Sequence, residues 1–311
     1  MAQPRPVIIT CAITGAIHTP SMSSHLPGDS DSIVASAIEA AEAGAAILHL
    51  HARNDTTGQP DQSVEGFGRI VPRIAEATDA VLNLTTGGSP YMTVEERVRP
   101  AAHFAAQLAS LNMGSMNMGL FPMLRRYPKL TGWERDHLEG SHDLVFRNSY
   151  KDIAYVLEVC RANGTRFEFE CYDTAHLYNL AHFADTGAVE PPFFVQTVFG
   201  LLGGIGAHVD DITHMRRTAE RLFGDNLVWS ALGAGAHQMR VAATVAAAGG
   251  HMRVGLEDSL WAGPGRLAVS NAEQVEQAKA LLSGLGLRAA TSAEAAEILD
   301  LAPREKSRGA A

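Results

Sequence analysis

Two histidines that lie two residues apart at the end of an apolar run have the spacing of a metal-binding pair. They are His49 and His51, in the segment AILHLHAR at 46–53. Side chains alternate faces along a β-strand, so residues i and i+2 point the same way, about 6–7 Å apart. Two imidazoles at this spacing can bind one ion. A hydrogen-bonded pair of core histidines is the alternative interpretation.

A candidate third ligand lies far along the chain. Glu257 ends another apolar run, in RVGLED at 253–258. Two histidines and one carboxylate leave a coordination position of zinc open, which is the pattern of catalytic zinc sites; iron and manganese also accept these ligands. Glu257 could instead pair with Arg253, which shares its face in a straight strand. Asp258 is the candidate general base, because Arg253 would hold it ionised.

The elements that position these residues alternate between strand-like and helix-like segments. Apolar and β-branched runs predict eight strands, at 7–13, 46–51, 80–85, 108–113, 166–172, 193–198, 227–232 and 252–255. Helical spacing follows each strand, and 292–299 predicts one further helix. This order predicts a single (β/α)8 TIM barrel as one domain over residues 1–311. An open doubly wound sheet is the alternative, although no GxGxxG motif follows the first strand.

Barrel enzymes have their active sites at the C-terminal ends of the strands, so the strand assignments also predict site residues. Besides the metal ligands, the residues expected there are Thr85, Thr86, Gly87, Gly88, Ser110, Asn112, Glu168 and Glu170. The N–H groups of the Thr86–Gly88 turn could bind a carboxylate. Glu168 and Glu170 alternate with phenylalanines, so both should face the barrel interior. They could act in catalysis or form a buried network with arginine or lysine.

Two loops depart from the regular pattern. Residues 114–148, after the fourth strand, form a connection far longer than is usual in barrels. Their apolar and basic stretch GLFPMLRRYPKL suits a lid or a subunit contact, and an insertion without function is the alternative. Residues 200–206 read GLLGGIG, which resembles a phosphate-binding turn, although glycines also serve packing at such turns.

The composition narrows the classes of partner and compartment. The chain has 311 residues, 46% hydrophobic and 19% charged, as in a globular protein with a large core. Its net charge of −9 argues against nucleic-acid binding. Three cysteines without disulfide or metal spacing, Cys11, Cys160 and Cys171, fit a reducing cytoplasm. We expect no signal peptide and no membrane-spanning segment, and a homo-oligomer, namely a tetramer.

Eight segments together resemble the beta-keto acid cleavage enzymes. In chain order they are TCAITGA, AILHLHAR, NLTTGGSP, ASLNMGSMN, FEFECYD, VQTVFGLLGG, WSALGAG and RVGLEDSLW. The similarity covers nearly the whole chain, and the combination of HLH with GLED is its most specific part. It implies a zinc-dependent barrel that condenses a β-keto acid with acetyl-CoA and releases acetoacetate and a new acyl-CoA. The partners would therefore be two small molecules, the keto acid and acetyl-CoA.

The resemblance also implies roles for individual residues. The family's zinc ligands correspond to His49, His51 and Glu257. Asp258, assisted by Arg253, would remove a proton from the keto acid, and the carbon nucleophile would attack the thioester of acetyl-CoA. CoA would then pass to the other acyl group. The substrate-contacting hydroxyls fall on Thr85 and Ser110, where the family example has Ser and Thr.

One departure from the family concerns the tail of the substrate. In the member that cleaves 3-keto-5-aminohexanoate, a glutamate that meets the substrate ammonium follows the TGA motif directly. This chain has Ile17 there, followed by His18. An ammonium without a carboxylate partner would be costly to bury. We therefore expect Ile17 to contact the substrate and to select a neutral or apolar tail.

Two other functions compete with acyl exchange. A zinc-dependent hydrolase on the same barrel would need only water, so dependence on acetyl-CoA separates it from the transferase. A non-catalytic barrel with a structural metal would unfold when His49 is replaced by alanine. The general association of this fold with catalysis favours an enzyme.

Overall fold

A computed structural model describes residues 4–89 and 91–303 and contains a closed barrel of eight parallel strands. We number the barrel strands β1 (Ile9–Ala12), β2 (Ile47–Leu50), β3 (Val81–Thr85), β4 (Leu108–Asn112), β5 (Arg166–Cys171), β6 (Phe193–Phe199), β7 (Leu227–Gly233) and β8 (His251–Val254). Each strand pairs with the next in the chain, and β8 pairs with β1. The predicted barrel is confirmed, and most strand ends shift by only one or two residues.

One helix follows each strand around the outside of the barrel, and two further helices lie at its two ends. The helices are α1 (Ser30–Ala43), α2 (Val64–Ala77), α3 (Val94–His103), α4 (Gly132–Gly140), α5 (Tyr150–Arg161), α6 (Thr174–Asp185), α7 (Val209–Phe223), α8 (Gln238–Ala247), α9 (Asn271–Gly284) and α10 (Ser292–Ile298). Local sequence fixes their ends. In α1, the side chain of Asp29 accepts a hydrogen bond from the amide of Ser32, and the left-handed Gly44 ends the helix.

The interior of the barrel changes from apolar to polar along the strand direction. Its N-terminal end is closed by an apolar cluster that includes Ile8, Ile47 and Phe194, together with Ala295 of α10. The predicted C-terminal helix therefore packs against the N-terminal end of the barrel. Side chains on the inner face of a strand recur at every second residue. In these strands the inner side chains are apolar at the N-terminal end and mostly polar at the C-terminal end. The C-terminal mouth is therefore the end of the barrel at which barrel enzymes have their active sites.

The first predicted strand is shorter and divided. Pro6–Val7 pairs in parallel with Arg288–Ala289 outside the barrel, and only Ile9–Ala12 joins the barrel sheet. The continuous β-branched run therefore serves two separate sheets, which sequence pattern could not distinguish.

The long connection 114–148 is an ordered insertion and not a bare loop. Its ends pair as a short antiparallel ladder between Met116–Asn117 and Val145–Phe146, which brings the chain back to the barrel rim. Between them lie a 3-10 helix at Phe121–Arg125 and α4. We call residues 114–148 the insertion. The insertion leaves the barrel rim after β4 and returns to it before α5.

The insertion covers the mouth of the barrel. An apolar cluster joins its Leu120, Leu138 and Phe146 to Val198 and Leu232 at the strand ends. Each buried aliphatic side chain of this kind contributes about 1.5–3 kcal/mol. Polar contacts anchor its edges: the insertion residues Trp133 and Glu134 bond to the backbones of Thr57 and Ser21, at 3.1 and 2.9 Å. The insertion is thus a cover packed onto the mouth of the barrel.

Two further expectations concern the whole chain. None of the helices in the described ranges combines the length and apolar character needed to cross a bilayer. The three cysteines are buried and unpaired.

Candidate active site at the C-terminal mouth of the barrel

Strand β2 presents two imidazoles to one carboxylate. Nε2 of His49 lies 3.5 Å and Nε2 of His51 lies 3.6 Å from Oε1 of Glu257. The ligand atoms offered by the three buried residues all lie within 4.8 Å of one another. Glu257 follows β8 and is held by its amide, which donates to the carbonyl of Ala12 at 3.2 Å. The structure therefore brings the three predicted ligands together from opposite ends of the chain.

The glycine of the TGA motif makes room for this carboxylate. Gly15 has a φ of +61°, and a Cβ on it would lie 2.3 Å from Cγ of Glu257. Any larger residue would both strain the backbone and displace the carboxylate.

The chemistry of the three side chains fits a divalent metal ion. Oε2 of Glu257 is buried and has no hydrogen-bond partner within the described residues. Burial opposes the charge of Glu257, but His49 and Arg253 hold its pKa well below the ordinary value. Burial lowers the pKa of His51 to about 3, so this ring is neutral and can donate a lone pair. Two imidazoles and one ionised carboxylate form a zinc-type ligand set with a position left open.

Arg253 is the centre of a buried charge cluster. Its Nη2 donates to Oε1 of Glu257 at 2.7 Å, and its Nε donates to Oδ2 of Asp258 at 2.9 Å. Its Nη1 faces Glu168 and Glu170 at 3.4 and 3.1 Å. The two alternatives left open by the sequence, pairing with Glu257 or with Asp258, are both realised. One guanidinium beside four carboxylates leaves an excess of negative charge, which favours a bound cation.

Two buried carboxyl groups that contact Arg253, those of Asp258 and Glu168, have raised pKa values. Burial raises the pKa of Asp258 to about 6, even though Arg253 acts in the opposite direction. Burial raises the pKa of Glu168 to about 7, again against Arg253. A carboxylate with a pKa near 6 is ionised at neutral pH and is more basic than an ordinary aspartate, which suits a general base.

Glu170 connects the charge cluster to the cavity wall. Its Oε2 accepts hydrogen bonds from the side-chain amide of Asn112 at 3.2 Å and from the hydroxyl of Tyr172 at 2.9 Å. Glu168 and Glu170 thus belong to a buried network with an arginine, one of the two predicted interpretations. Tyr172 was not among the predicted site residues. Its position two residues after Glu170, directly after the end of β5, is the signal that could have identified it.

The turn after β3 uses its amides internally. Oγ1 of Thr85 accepts hydrogen bonds from the amides of Gly87 and Gly88, at 2.9 and 3.4 Å. These amides are therefore not free to bind a substrate carboxylate, whereas the hydroxyl hydrogen of Thr85 is left to point elsewhere. Thr86 turns away and donates to the carbonyl of Ser110 at 2.6 Å. Thr85, Gly87 and Gly88 line the cavity described next.

A cavity of about 490 Å³, counting the space open at its mouth, lies above the three ligands. Its lining residues include most of the predicted site: Ile17, His49, His51, Thr85, Gly87, Gly88, Asn112, Glu170 and Glu257. The insertion adds Met118, Leu120, His137 and Phe146, none of which the sequence pattern identified. Only the folding of the insertion over the mouth brings them there. Thr86 and Ser110 are buried near this cavity, outside its lining.

A second cavity of about 910 Å³ adjoins the first and shares Ile17, Leu120, Tyr172 and Glu257 with it. Arg253 and Asp258 line this second cavity.

The glycine-rich loop 200–206 forms one wall of the second cavity. The amides of Gly200 and Gly204 donate to the carbonyls of Ile205 and Leu201, and the amide of Ile205 donates to that of Tyr172. The loop is therefore a packed turn in which these donors are occupied, which leaves little support for phosphate binding.

A buried arginine holds the loop that carries Ile17. Nη2 of Arg53 donates to the carbonyls of Gly15 and His18, both at 2.8 Å, and its Nε donates to Oγ1 of Thr14 at 2.7 Å. Arg53 ends the HLHAR motif, so one strand end supplies both imidazoles and the clamp for the neighbouring loop. This places Ile17 between the two cavities.

Comparisons with known proteins identify a family and relatives of this chain. A family model for the beta-keto acid cleavage enzyme matches residues 6–301. The chain is 61% identical to the 3,5-dioxohexanoate:acetyl-CoA acetone transferase of Paraburkholderia graminis, over 97% of each chain. It is 33% identical to the 3-dehydrocarnitine:acetyl-CoA trimethylamine transferase of Rhizobium meliloti, over 91% of this chain and 93% of that one.

The fold also matches the solved apo structure of ObcA. The TM-score is 0.72 at 19% sequence identity, over 90% of this chain and 66% of the ObcA chain. This similarity extends to fold alone, whereas the family model and the sequence relatives extend to the family. The chain belongs to the beta-keto acid cleavage enzyme family.

Proposed function

We propose that the protein is a zinc-dependent acyltransferase that condenses a neutral β-keto acid with acetyl-CoA and yields acetoacetate and a new acyl-CoA. The observation that carries this proposal is the convergence of His49, His51 and Glu257 beside the Arg253–Asp258 pair at one rim of the barrel. The relative at 61% identity is named for an acetyl-CoA-dependent transfer, which supports the same class of reaction here.

The metal would be held by His49, His51 and Glu257. Oε2 of Glu257 has no hydrogen-bond partner within the described residues, and buried carboxylates are in surplus around it, both of which support this assignment. Two imidazoles and one carboxylate also leave a coordination position open. A bound zinc ion supplies Lewis acidity, which polarises a carbonyl.

Asp258 is the proposed general base. Its buried carboxylate takes a proton from C2 of the keto acid, and the guanidinium of Arg253 keeps it ionised and oriented through two hydrogen bonds. The C2 carbanion then forms a carbon–carbon bond to the acetyl carbonyl carbon. The carbon–sulfur bond of the thioester breaks, and CoA leaves as a thiolate.

The second half of the reaction reverses this chemistry on the other side of C2. The CoA thiolate adds to the C3 carbonyl carbon, and the bond between C2 and C3 breaks. The new carbanion at C2 takes the proton back from Asp258 and leaves as acetoacetate, while the remaining acyl group leaves as its CoA ester. Thr85 supports both halves, because its hydroxyl hydrogen is free to donate to a substrate oxygen while its oxygen accepts from Gly87.

The two cavities suit the two substrates. The keto acid belongs in the cavity above the metal ligands, where Thr85 and Asn112 also lie. Acetyl-CoA belongs in the second cavity, because a thioester that enters there meets Asp258 and Arg253. The cavities meet at Glu257 and Tyr172, so the reacting carbons would approach each other at this junction.

The lining selects the tail of the keto acid. Ile17, Met118 and Leu120 surround the space beyond the metal ligands and carry no charge. A cationic tail would lose its hydration there without gaining a carboxylate partner from position 17. A neutral acid such as 3,5-dioxohexanoate, the substrate for which the 61% relative is named, fits this lining.

The test is a panel of β-keto acids assayed with zinc-loaded protein, with acyl-CoA products detected by mass spectrometry. We expect 3,5-dioxohexanoate and 3-oxohexanoate to give acyl-CoA and acetoacetate only when acetyl-CoA is present. A chelator should abolish this activity, and zinc should restore it. Cleavage without acetyl-CoA would indicate the hydrolase instead, and faster turnover of 3-keto-5-aminohexanoate would contradict the neutral tail.

A further inference from the structure

A histidine of the insertion lines the cavity above the metal ligands. His137 lies on α4, with its ring between the aromatic rings of Tyr91 and Trp133, at centroid distances of 6.4 and 6.3 Å. It contributes to the same wall as Ile17 and Leu120. The insertion therefore contributes one polar ring to the lining, beside its apolar Met118, Leu120 and Phe146.

The hydrogen-bonding capacity of this ring is only half used. Nε2 of His137 is buried and has no hydrogen-bond partner within the described residues. Two other polar side chains of the lining do have partners: Thr85 accepts from Gly87, and Tyr172 donates to Glu170. A buried ring nitrogen without a partner costs free energy in the free protein, so a ligand that satisfies it gains affinity.

The protonation of the ring follows from its surroundings. Burial lowers the pKa of His137, and the backbone of Ala16 only partly opposes this, so the ring is neutral. A carbonyl can accept a hydrogen bond from this ring only at the nitrogen that carries hydrogen. Since Nε2 has no partner within the described residues, we assign the proton to Nδ1 and the lone pair to Nε2. The free position is therefore a hydrogen-bond acceptor.

We propose, on the basis of the function given above, that Nε2 of His137 accepts a hydrogen bond from a hydroxyl or enol group on the tail of the β-keto acid. The preferred substrates are then neutral acids with an oxygen function beyond the β-carbonyl, and not plain alkyl acids. A 3,5-diketone meets this requirement, because its second carbonyl can enolise. Ile17, on the same wall, excludes the charged alternative by offering no counter-charge.

The test compares two probes, 5-hydroxy-3-oxohexanoate and 3-oxohexanoate, each with acetyl-CoA. In the unmodified protein we expect kcat/KM for the hydroxylated probe to be higher by about tenfold or more, because the plain acid leaves the ring nitrogen unpaired. His137→Phe should remove this preference, mainly by raising KM for the hydroxylated probe. His137→Gln keeps an acceptor and should restore part of the preference.

The control is His142→Phe, which replaces an exposed histidine of the same insertion and should leave the preference unchanged. If His137→Phe does not fold, as judged by its melting temperature, the Gln variant and the two probes on the unmodified protein carry the test. If the His137 variants keep the same ratio of kcat/KM for the two probes as the unmodified protein, the proposed role of His137 is wrong and the proposed function stands. Absence of acetyl-CoA-dependent exchange with either probe would instead overturn the proposed function.

Discussion

Nη2 of Arg253 donates to Oε1 of Glu257 at 2.7 Å, and this is the same oxygen that faces both imidazoles of β2. The arginine thus orients the proposed metal ligand and the proposed base together, since its Nε also holds Asp258. One side chain couples the two halves of the site, which makes it a sensitive point for mutation.

Replacing Arg253 by lysine should shift the pH dependence of the reaction. Arg253 lowers the pKa of Asp258, which burial raises to about 6. A lysine cannot reproduce both hydrogen bonds, so the pKa should rise further and the base should be protonated at higher pH. We expect the acid limb of the kcat profile to move upward from about pH 6 to about pH 8, with a loss of roughly tenfold in kcat at pH 7. A limb that stays in place in a protein with an unchanged melting temperature would argue against Asp258 as the base.

Removing one imidazole should remove the metal without unfolding the barrel. His51→Ala leaves two of the three proposed ligands, and we expect the zinc content, measured by mass spectrometry, to fall below about a tenth of the unmodified value. Activity should fall with it, because the remaining ligands no longer define the open position. The melting temperature of the metal-free forms should agree within a few degrees. His214→Ala, at an exposed site on α7, is the matched control. Collapse of the fold in His51→Ala would support a structural metal instead.

Adding a carboxylate at position 17 should change the substrate. Ile17→Glu introduces a negative charge at the junction of the two cavities, where the 3-keto-5-aminohexanoate enzyme of the resemblance has glutamate. We expect the ratio of kcat/KM for 3-keto-5-aminohexanoate to kcat/KM for 3-oxohexanoate to rise by about tenfold or more, because the ammonium group gains a buried partner. Ile17→Gln, of the same size without the charge, should not produce this shift. Equal effects of both variants would show that size and not charge decides.

Substituting one glycine of loop 200–206 should loosen the insertion. Gly203 has a φ of +110°, and a Cβ on it would lie 1.8 Å from the carbonyl oxygen of Asn117. Gly203→Ala should therefore lower the free energy of unfolding by more than the roughly 1–3 kcal/mol expected for backbone strain alone. It should also lower kcat/KM, because it displaces the insertion. Gly187→Ala is the control, because its φ of +72° carries the strain with nothing within 4 Å. Equal losses of stability and of kcat/KM in both variants would show that the contact between Gly203 and Asn117 has no particular effect on the reaction.

A buried histidine at the base of the barrel should make stability depend on pH. Burial lowers the pKa of His251 to about 4, and its Nδ1 accepts a hydrogen bond from the amide of Ile8 at 2.9 Å. The folded protein keeps this ring neutral while the unfolded chain protonates it near pH 6.5. The stabilisation is therefore complete above about pH 6.5 and is lost as the pH falls toward 4, a change of about 3 kcal/mol.

Urea unfolding of metal-free protein at several pH values measures this effect. His251→Asn keeps an acceptor for Ile8 and removes the titrating group, so its free energy of unfolding should fall less steeply between pH 6.5 and 4. His214→Gln, on the surface, should follow the unmodified protein. Parallel curves for His251→Asn and the unmodified protein would exclude this origin of the acid sensitivity.

The order and type of the elements were predictable because each strand is a short apolar run and each helix has its own spacing and caps. The convergence of His49, His51 and Glu257 followed from one further rule, that the C-terminal ends of barrel strands meet at one mouth. The contacts of Glu168 and Glu170 were not predictable to the same degree. Their facing was clear from alternation, but the arginine that they meet lies eighty residues or more away in the chain.

Residue pattern alone was thus sufficient to predict the barrel, the convergence of His49, His51 and Glu257 and the neighbouring position of Asp258, because alternation and strand order are local properties of the chain. Tertiary structure alone decided that the amides of Gly87 and Gly88 are occupied by Thr85 and that residues 200–206 are a packed turn. It also decided that the insertion folds over the mouth and brings His137 to the cavity wall. These features depend on contacts between segments distant in sequence, whose geometry no residue pattern encodes locally.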